Sequence, residues 1–229
     1  MLPLVLLPAM LCDAELYQAQ VAALADVVRP LTFPVAESPL AEAALSVLRQ
    51  APPRFVLAGT SAGGNLALEV LAAAPARVAG LWLMGTNPGA DDDLVGGRIW
   101  NARVRAGEFD AVVDQLAARA VHAGGPRAGE ATETFWRMAQ RAGPEAFVRQ
   151  NEALITRRDQ WNAFDRFAAP TLLLWGRQDR FSPVERALDI AARVPSAELV
   201  VLDECGHLPT LEQPDTCARA ARAWLQALG

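Results

Sequence analysis

Residues 54–68 read RFVLAGTSAGGNLAL, an apolar run, a cluster of small residues around a single serine, and a second apolar run. The first run has the length and bounding turn residues of a buried strand, and the segment behind it, AGGNLALEVLAAAP, carries apolar residues at helical spacing. Ser61 therefore sits where a strand turns sharply into a helix. Within that turn GTSAG satisfies G-x-S-x-G, a pattern that carries chemistry only when a strand precedes it and a helix follows. A serine held clear of the backbone there takes a positive φ. Strand and helix then pass so closely that the residues two before and two after must be small. Gly59 and Gly63 meet that need, and Gly64 adds clearance. The helix also aims free amides and the positive end of its dipole at the turn. The plainer alternative is a glycine-rich β-α turn with an incidental serine, suited to holding a phosphate at the helix terminus.

Outward from this turn the same alternation continues. Candidate strands are PLVLL (3–7), DVVRPLTF (26–33), RFVLAG (54–59), VAGLWLMG (78–85), TLLLWG (171–176) and AELVVLD (197–203). AELYQAQVAALA and PLAEAALSVLRQ fill the first two gaps with helical periodicity, which predicts a parallel sheet covered on both faces by helices. Ser182, Pro183 and Glu185 have the spacing of a capping box, so ERALDIAARV is expected to be a helix with Ser182 as its N-cap. The last segment places Cys217, Ala221, Trp224, Leu225 and Leu228 on one face of an amphipathic helix.

From about residue 87 to residue 164 the alternation stops. Segments rich in Ala, Arg and Glu are separated by Gly107, by GGP at 124–126 and by GP at 143–144, which predicts about four short helices. The expected division is a core of 1–87 and 165–229 with a helical cap, 88–164, inserted into it. The insertion leaves after one strand and returns before the next, so it is expected over the sheet end where α/β proteins bind ligands.

Composition closes several routes. With 229 residues and 52% hydrophobic content the chain can bury a sizeable core as one soluble domain. Net charge is -5, and the 21 basic residues are all arginine and scattered, which argues against a nucleic-acid partner. Without lysine there is neither a P-loop lysine nor a Schiff-base lysine. Cys12, Cys205 and Cys217 have no metal spacing, and their odd number suits a reducing compartment, the cytoplasm. No metal or other cofactor is expected. MLPLVLLPAMLC has no early arginine and is broken by Pro3 and Pro8, so it is expected to hold a buried strand rather than a signal sequence. No apolar stretch reaches the roughly 18 residues of a membrane helix. A small-molecule substrate is the expected partner, with a homo-oligomer left open.

A nucleophilic serine needs a base, and the chain has two histidines. His207 follows the last predicted strand, at the same sheet end as Ser61, whereas His122 falls within the insertion and reads as a surface residue. The imidazole in turn needs a carboxylate. Asp179 follows the fifth predicted strand at that end and has no obvious capping duty if Ser182 caps the helix. Asp203 is a rival by proximity in sequence, and Asp91 to Asp93 are a third choice. An oxyanion hole requires two main-chain donors, for which the amides of Met10, after the turn at Pro8 and Ala9, and of Ala62 are the candidates. Cys12 has no evident activating neighbour and reads as packing.

The segments LLPAMLCDAELY, GTSAGG, LLLWGRQDRFSP and CGHLPTLEQP, in that order, resemble the α/β-hydrolase superfamily, and within it the small lidded hydrolases of bacteria. The order Ser61, Asp179, His207 is the superfamily order. The resemblance implies an α/β-hydrolase fold with a short sheet of about six mostly parallel strands, beginning at the family's third strand, and a helical cap. It departs in one place, Pro8-Ala9 standing where the family commonly has His-Gly. The activity implied is cleavage of a small ester-type substrate by Ser61, His207 and Asp179, without a cofactor. Alternatives are the same triad acting on a carbon-carbon bond or eliminating a carboxylate, and a non-catalytic binding module. In the cap, Trp100, Trp136, Met138 and Phe147, with Phe109 and Leu154, are candidates to line a substrate pocket, and Arg98, Arg103 and Arg105 to bind a substrate carboxylate.

Overall fold

The computed structural model describes residues 1–36, 39–91, 93–165 and 167–228, so Asp92, one of the three consecutive carboxylates, lies outside the described residues. The strands are β1 (Leu2–Leu7), β2 (Val28–Thr32), β3 (Phe55–Thr60), β4 (Val78–Met84), β5 (Thr171–Gly176) and β6 (Ala197–Leu202). They form one sheet in the order β2-β1-β3-β4-β5-β6, every neighbouring pair parallel. The predicted parallel sheet is thus present, with β1 inside it between β2 and β3. β2 is shorter than its apolar run predicts, and Pro30, which has no N–H to donate, is tolerated there because the strand lies at the sheet edge.

Alternating residues of each strand feed two cores. Leu4, Leu6, Val56, Ala58, Trp82 and Leu174 face one, and Val5, Leu7, Leu57, Leu83, Leu173 and Trp175 face the other. The first is covered by α1 (Gln18–Ala23) and α9 (Pro214–Gln226), the second by α2 (Leu40–Gln50), α3 (Ala62–Ala73) and α7 (Val184–Arg193). Each such side chain contributes roughly 1.5–3 kcal/mol by leaving water. In α9, Cys217, Ala221, Trp224 and Leu225 form the buried face, as the pattern predicts.

Between β4 and β5 run α4 (Leu94–Arg105), α5 (Phe109–Ala120) and α6 (Ala128–Ile155). Gly107, at φ 90°, separates the first two, and Gly143, at φ 82°, breaks α6 just before Pro144. Among the described residues no helix is long and apolar enough to cross a membrane.

One local expectation is overturned. The N-cap of α7 is Pro183, with no side-chain cap bond, and Ser182 Oγ donates instead to the carbonyl of Thr86 at 3.2 Å. Just before the helix, Asp179 Oδ1 accepts the amides of Phe181 (2.8 Å) and Ser182 (2.9 Å). Asp179, read as free of structural duty, shapes the loop that leads into α7.

Candidate active site

Ser61 stands between β3 and α3 at φ 53° and ψ −116°, a conformation rare for any side chain larger than glycine. Its amide donates to Met84 O (2.8 Å) and its carbonyl accepts from Asn65 N (3.0 Å), so the turn is fixed from both sides. Among the described residues its hydroxyl makes no hydrogen bond, and it faces a cleft of about 280 Å³. The surrounding glycines are required by contact. A Cβ on Gly63 would overlap the carbonyl of Leu7 at the end of β1, and one on Gly64 would overlap Thr86 Oγ1. Gly63→Ala must therefore push α3 off β1, a main-chain displacement that no rotamer change relieves. A loss of more than about 3 kcal/mol of stability, or failure to fold, is expected in thermal and denaturant unfolding.

The chain after β1 approaches the same point. Tyr17, fully buried, bonds Leu7 O and Thr60 Oγ1 through its hydroxyl, both at 2.8 Å, and so ties the ends of β1 and β3 together. Beyond Pro8 the chain doubles back, with Cys12 N on Ala9 O at 3.0 Å and Leu11 at φ 60°, its amide held by Gln150 Oε1 of α6 at 2.8 Å. Met10 and Ala62 both line the cleft beside Ser61. The Met10 amide has no acceptor among the described residues, and that of Ala62, the first residue of α3, has none within its helix.

His207 lies on the loop after β6, and its Nδ1 is 2.7 Å from Asp179 Oδ2, with side chains 6% and 1% exposed. Gly85, at φ 54°, forms the floor beneath this pair, for a Cβ there would come within 2.8 Å of the imidazole. Phe181 packs on the ring with centroids 5.0 Å apart. Ser61, His207, Met10 and Ala62 all line one cleft, with Asp179 directly behind the histidine.

The rival carboxylates have partners other than His207, although Asp91 and Asp93 also line the cleft. Asp203 pairs with Arg177 at the surface, 74% exposed; Asp91 binds Arg157 at 2.8 Å; Asp93 caps α4 through Gly96 N at 2.9 Å. His122 is half-buried and does not line the cleft. Burial pushes the Cys12, Cys205 and Cys217 thiols well above the ordinary cysteine value, the state of inert packing residues. Among the described residues no group of three or more His, Cys, Asp or Glu side chains is placed to hold a metal ion.

Of the cap candidates, Trp100, Phe147 and Leu154 line the cleft. Trp136 and Met138 do not, and this corrects the sequence expectation. Trp136 lies on the outer side of α6 with Nε1 on Asp114, and Met138 is buried against the β1 loop, its sulfur 3.5 Å from Asp13 N. Phe109 is packed in the core, Arg98 and Arg105 are exposed, and Arg103 pairs with Glu108; none of the four lines the cleft. The cleft instead has Phe135, one residue before Trp136, and two unforeseen arginines. Arg157 is held by Asp91, Gly89 O and Leu154 O. Arg119 lies over the Phe181 ring at 4.3 Å with its guanidinium on Arg180 O, and among the described residues has no carboxylate partner.

Comparison with known proteins finds hydrolases and esterases among the relatives of this chain. A 2-hydroxy-6-oxononadienedioate/2-hydroxy-6-oxononatrienedioate hydrolase of Paraburkholderia xenovorans is 30% identical over 165 residues, 67% of this chain but only 56% of that relative's length. A pimeloyl-[acyl-carrier protein] methyl ester esterase of Nitrosospira multiformis is 26% identical over 74% of this chain and 67% of its own. Among solved structures, a thermophilic esterase from Thermogutta terrifontis, determined with malate bound, superposes with a TM-score of 0.89 at 26% identity, covering 100% of this chain and 90% of that one. The family model described as alpha/beta hydrolase family matches residues 13–220, and with this sheet order and this turn around Ser61 the chain belongs to that family.

Proposed function

We propose that the chain is a serine hydrolase of a small ester-type substrate, working through an acyl-enzyme. The observation that carries this is the 2.7 Å contact between His207 Nδ1 and Asp179 Oδ2, buried beside a cleft lined also by Ser61, whose backbone is strained and whose hydroxyl makes no hydrogen bond among the described residues. Ser61 Oγ attacks the carbonyl carbon as His207 Nε2 takes its proton, and the Met10 and Ala62 amides receive the developing oxyanion. His207 then protonates the leaving alcohol. Water, deprotonated by the same nitrogen, releases the acid and restores the serine. Asp179 fixes the tautomer and supports the imidazolium. Residues 88–164 act as a cap over a core of 1–87 and 165–229 and supply Trp100, Phe135, Phe147 and Leu154 to the acyl side of the cleft. Cys12, Cys205 and Cys217, all free, suit a cytoplasmic enzyme.

A second reading, the same three residues acting on a carbon-carbon bond, is favoured by Arg119, a cation in the cleft without a carboxylate partner among the described residues, and by the dienedioate named for one relative. The test is a panel of p-nitrophenyl esters from acetate to octanoate beside a 2-hydroxy-6-oxo-dienedioate. The cleft volume lies near the lower end of ligand sites. Acetate and butyrate esters are therefore expected to turn over, with kcat/KM falling by octanoate. Ester rates no higher than those of Ser61→Ala, together with consumption of the dienedioate, would transfer the assignment to the second reading.

A further inference from the structure

The buried carboxylate of Glu212 takes no part in these steps, yet it organises the main chain that carries His207. Glu212 is 1% exposed, on the one-turn helix α8 (Pro209–Glu212). Its Oε2 accepts the amides of Gly206 at 2.8 Å and of His122 at 2.9 Å, and its Oε1 accepts that of Leu208 at 2.9 Å. Between them the amide of His207 donates to Ala120 O at 2.7 Å. Three consecutive amides, 206 to 208, are thus fixed, two by one side chain and the middle one by the carbonyl that ends α5. Among the described residues no arginine pairs with Glu212. Three main-chain N–H donors meet its charge, an arrangement that a carboxylate with two acceptor oxygens satisfies and a single amide oxygen does not. Gly206 has no room for a side chain, because a Cβ would overlap Ala120 O and lie 3.1 Å from Glu212 Oε1.

We propose that Glu212 is a positioning residue for His207. It grips the chain on both sides of the histidine and bolts that loop to the α5–α6 connection, so that the imidazole's place relative to Ser61 is set by the inserted helices as well as by the sheet. A displacement of about 1 Å in a catalytic group costs on the order of 100-fold in rate. The inference rests on the assignment of His207 as the base.

The test uses the full chain as wild type, Glu212→Gln, Glu212→Asp and, as control, Ser61→Ala. Thermal midpoints are recorded, and kcat and KM for an ester turned over by the wild type are measured well below the lowest midpoint. Glu212→Gln keeps the shape but sets an NH2 group against an N–H; Glu212→Asp keeps the charge but withdraws it by one methylene, and is the milder change should the first not fold. For the folded variants kcat is expected to fall about 10- to 100-fold with KM within twofold, the usual scale for a group that orients another. A lowered midpoint with wild-type kcat per folded molecule, or a loss confined to KM, overturns the proposal. Activity in Ser61→Ala within tenfold of the wild type would overturn the site assignment itself, and this inference with it.

Discussion

Ser61→Ala is expected to lower kcat by about four to six orders of magnitude and to abolish labelling by a fluorophosphonate probe, while the thermal midpoint stays within a few degrees of wild type. The large first effect and small second one have the same origin. Ser61 holds its positive φ because its amide is bonded to Met84 O and the glycines on either side let β3 and α3 close around it. Alanine has the same Cβ, meets the same backbone penalty and loses only a hydroxyl that makes no hydrogen bond among the described residues, so folding barely registers the change. Catalysis loses its nucleophile. A residue of rate over the uncatalysed reaction should persist, because the Met10 and Ala62 amides and the cleft are untouched. Equal labelling of the two proteins would remove Ser61 from the mechanism.

The sheet was legible because parallel strands are buried on both faces and read as unbroken apolar runs; five of the six begin and end within one residue of those runs. β2 is the exception, since an edge strand needs only one well-buried face and its apolar run overshoots. The site candidates were legible to the extent that they follow strands, for topology alone brings the ends of β3, β5 and β6 to one side. The inserted helices were not, because adjacent residues on a helix point about 100° apart. Trp136 and Phe135 are neighbours in sequence, yet one lies on the outer surface and the other lines the cleft, and no pattern in FWRM says which helix face has a partner. Arg119, on α5, was missed for the same reason, and Arg157, just beyond α6, had nothing to mark it among 21 arginines. Glu212 was hidden differently: nothing in LEQP marks it, and one of the three amides it accepts belongs to His122, 90 positions away. The Ser182 cap failed because its hydroxyl is drawn to the carbonyl of Thr86, 96 positions away in sequence, rather than back to the first amides of α7.

The structural duty of Asp179 makes Asp179→Asn the most informative single change in the acid. Asp179 uses its two oxygens differently: Oδ1 accepts the amides of Phe181 and Ser182, and Oδ2 meets His207 Nδ1. In an asparagine the oxygen is claimed by the two main-chain donors, which cannot face an NH2 group without losing both bonds. The NH2 is then forced toward His207, where it donates to Nδ1 and holds the proton on Nε2. A histidine in that tautomer has no lone pair to take the proton of Ser61. The expected result is a loss of about 10⁴ in kcat with the fold retained, since the loop keeps its two amide bonds. Asp203→Asn, by contrast, removes only an exposed pair with Arg177, an interaction of about 0–1 kcal/mol, and should leave kcat within about twofold. Should the Asp203 change alone cut the rate by orders of magnitude, the acid has been misassigned. Asp179→Asn with wild-type kcat would mean that the amide had turned over, with the Phe181 and Ser182 amides left unbonded, a state that their exchange with deuterium would expose.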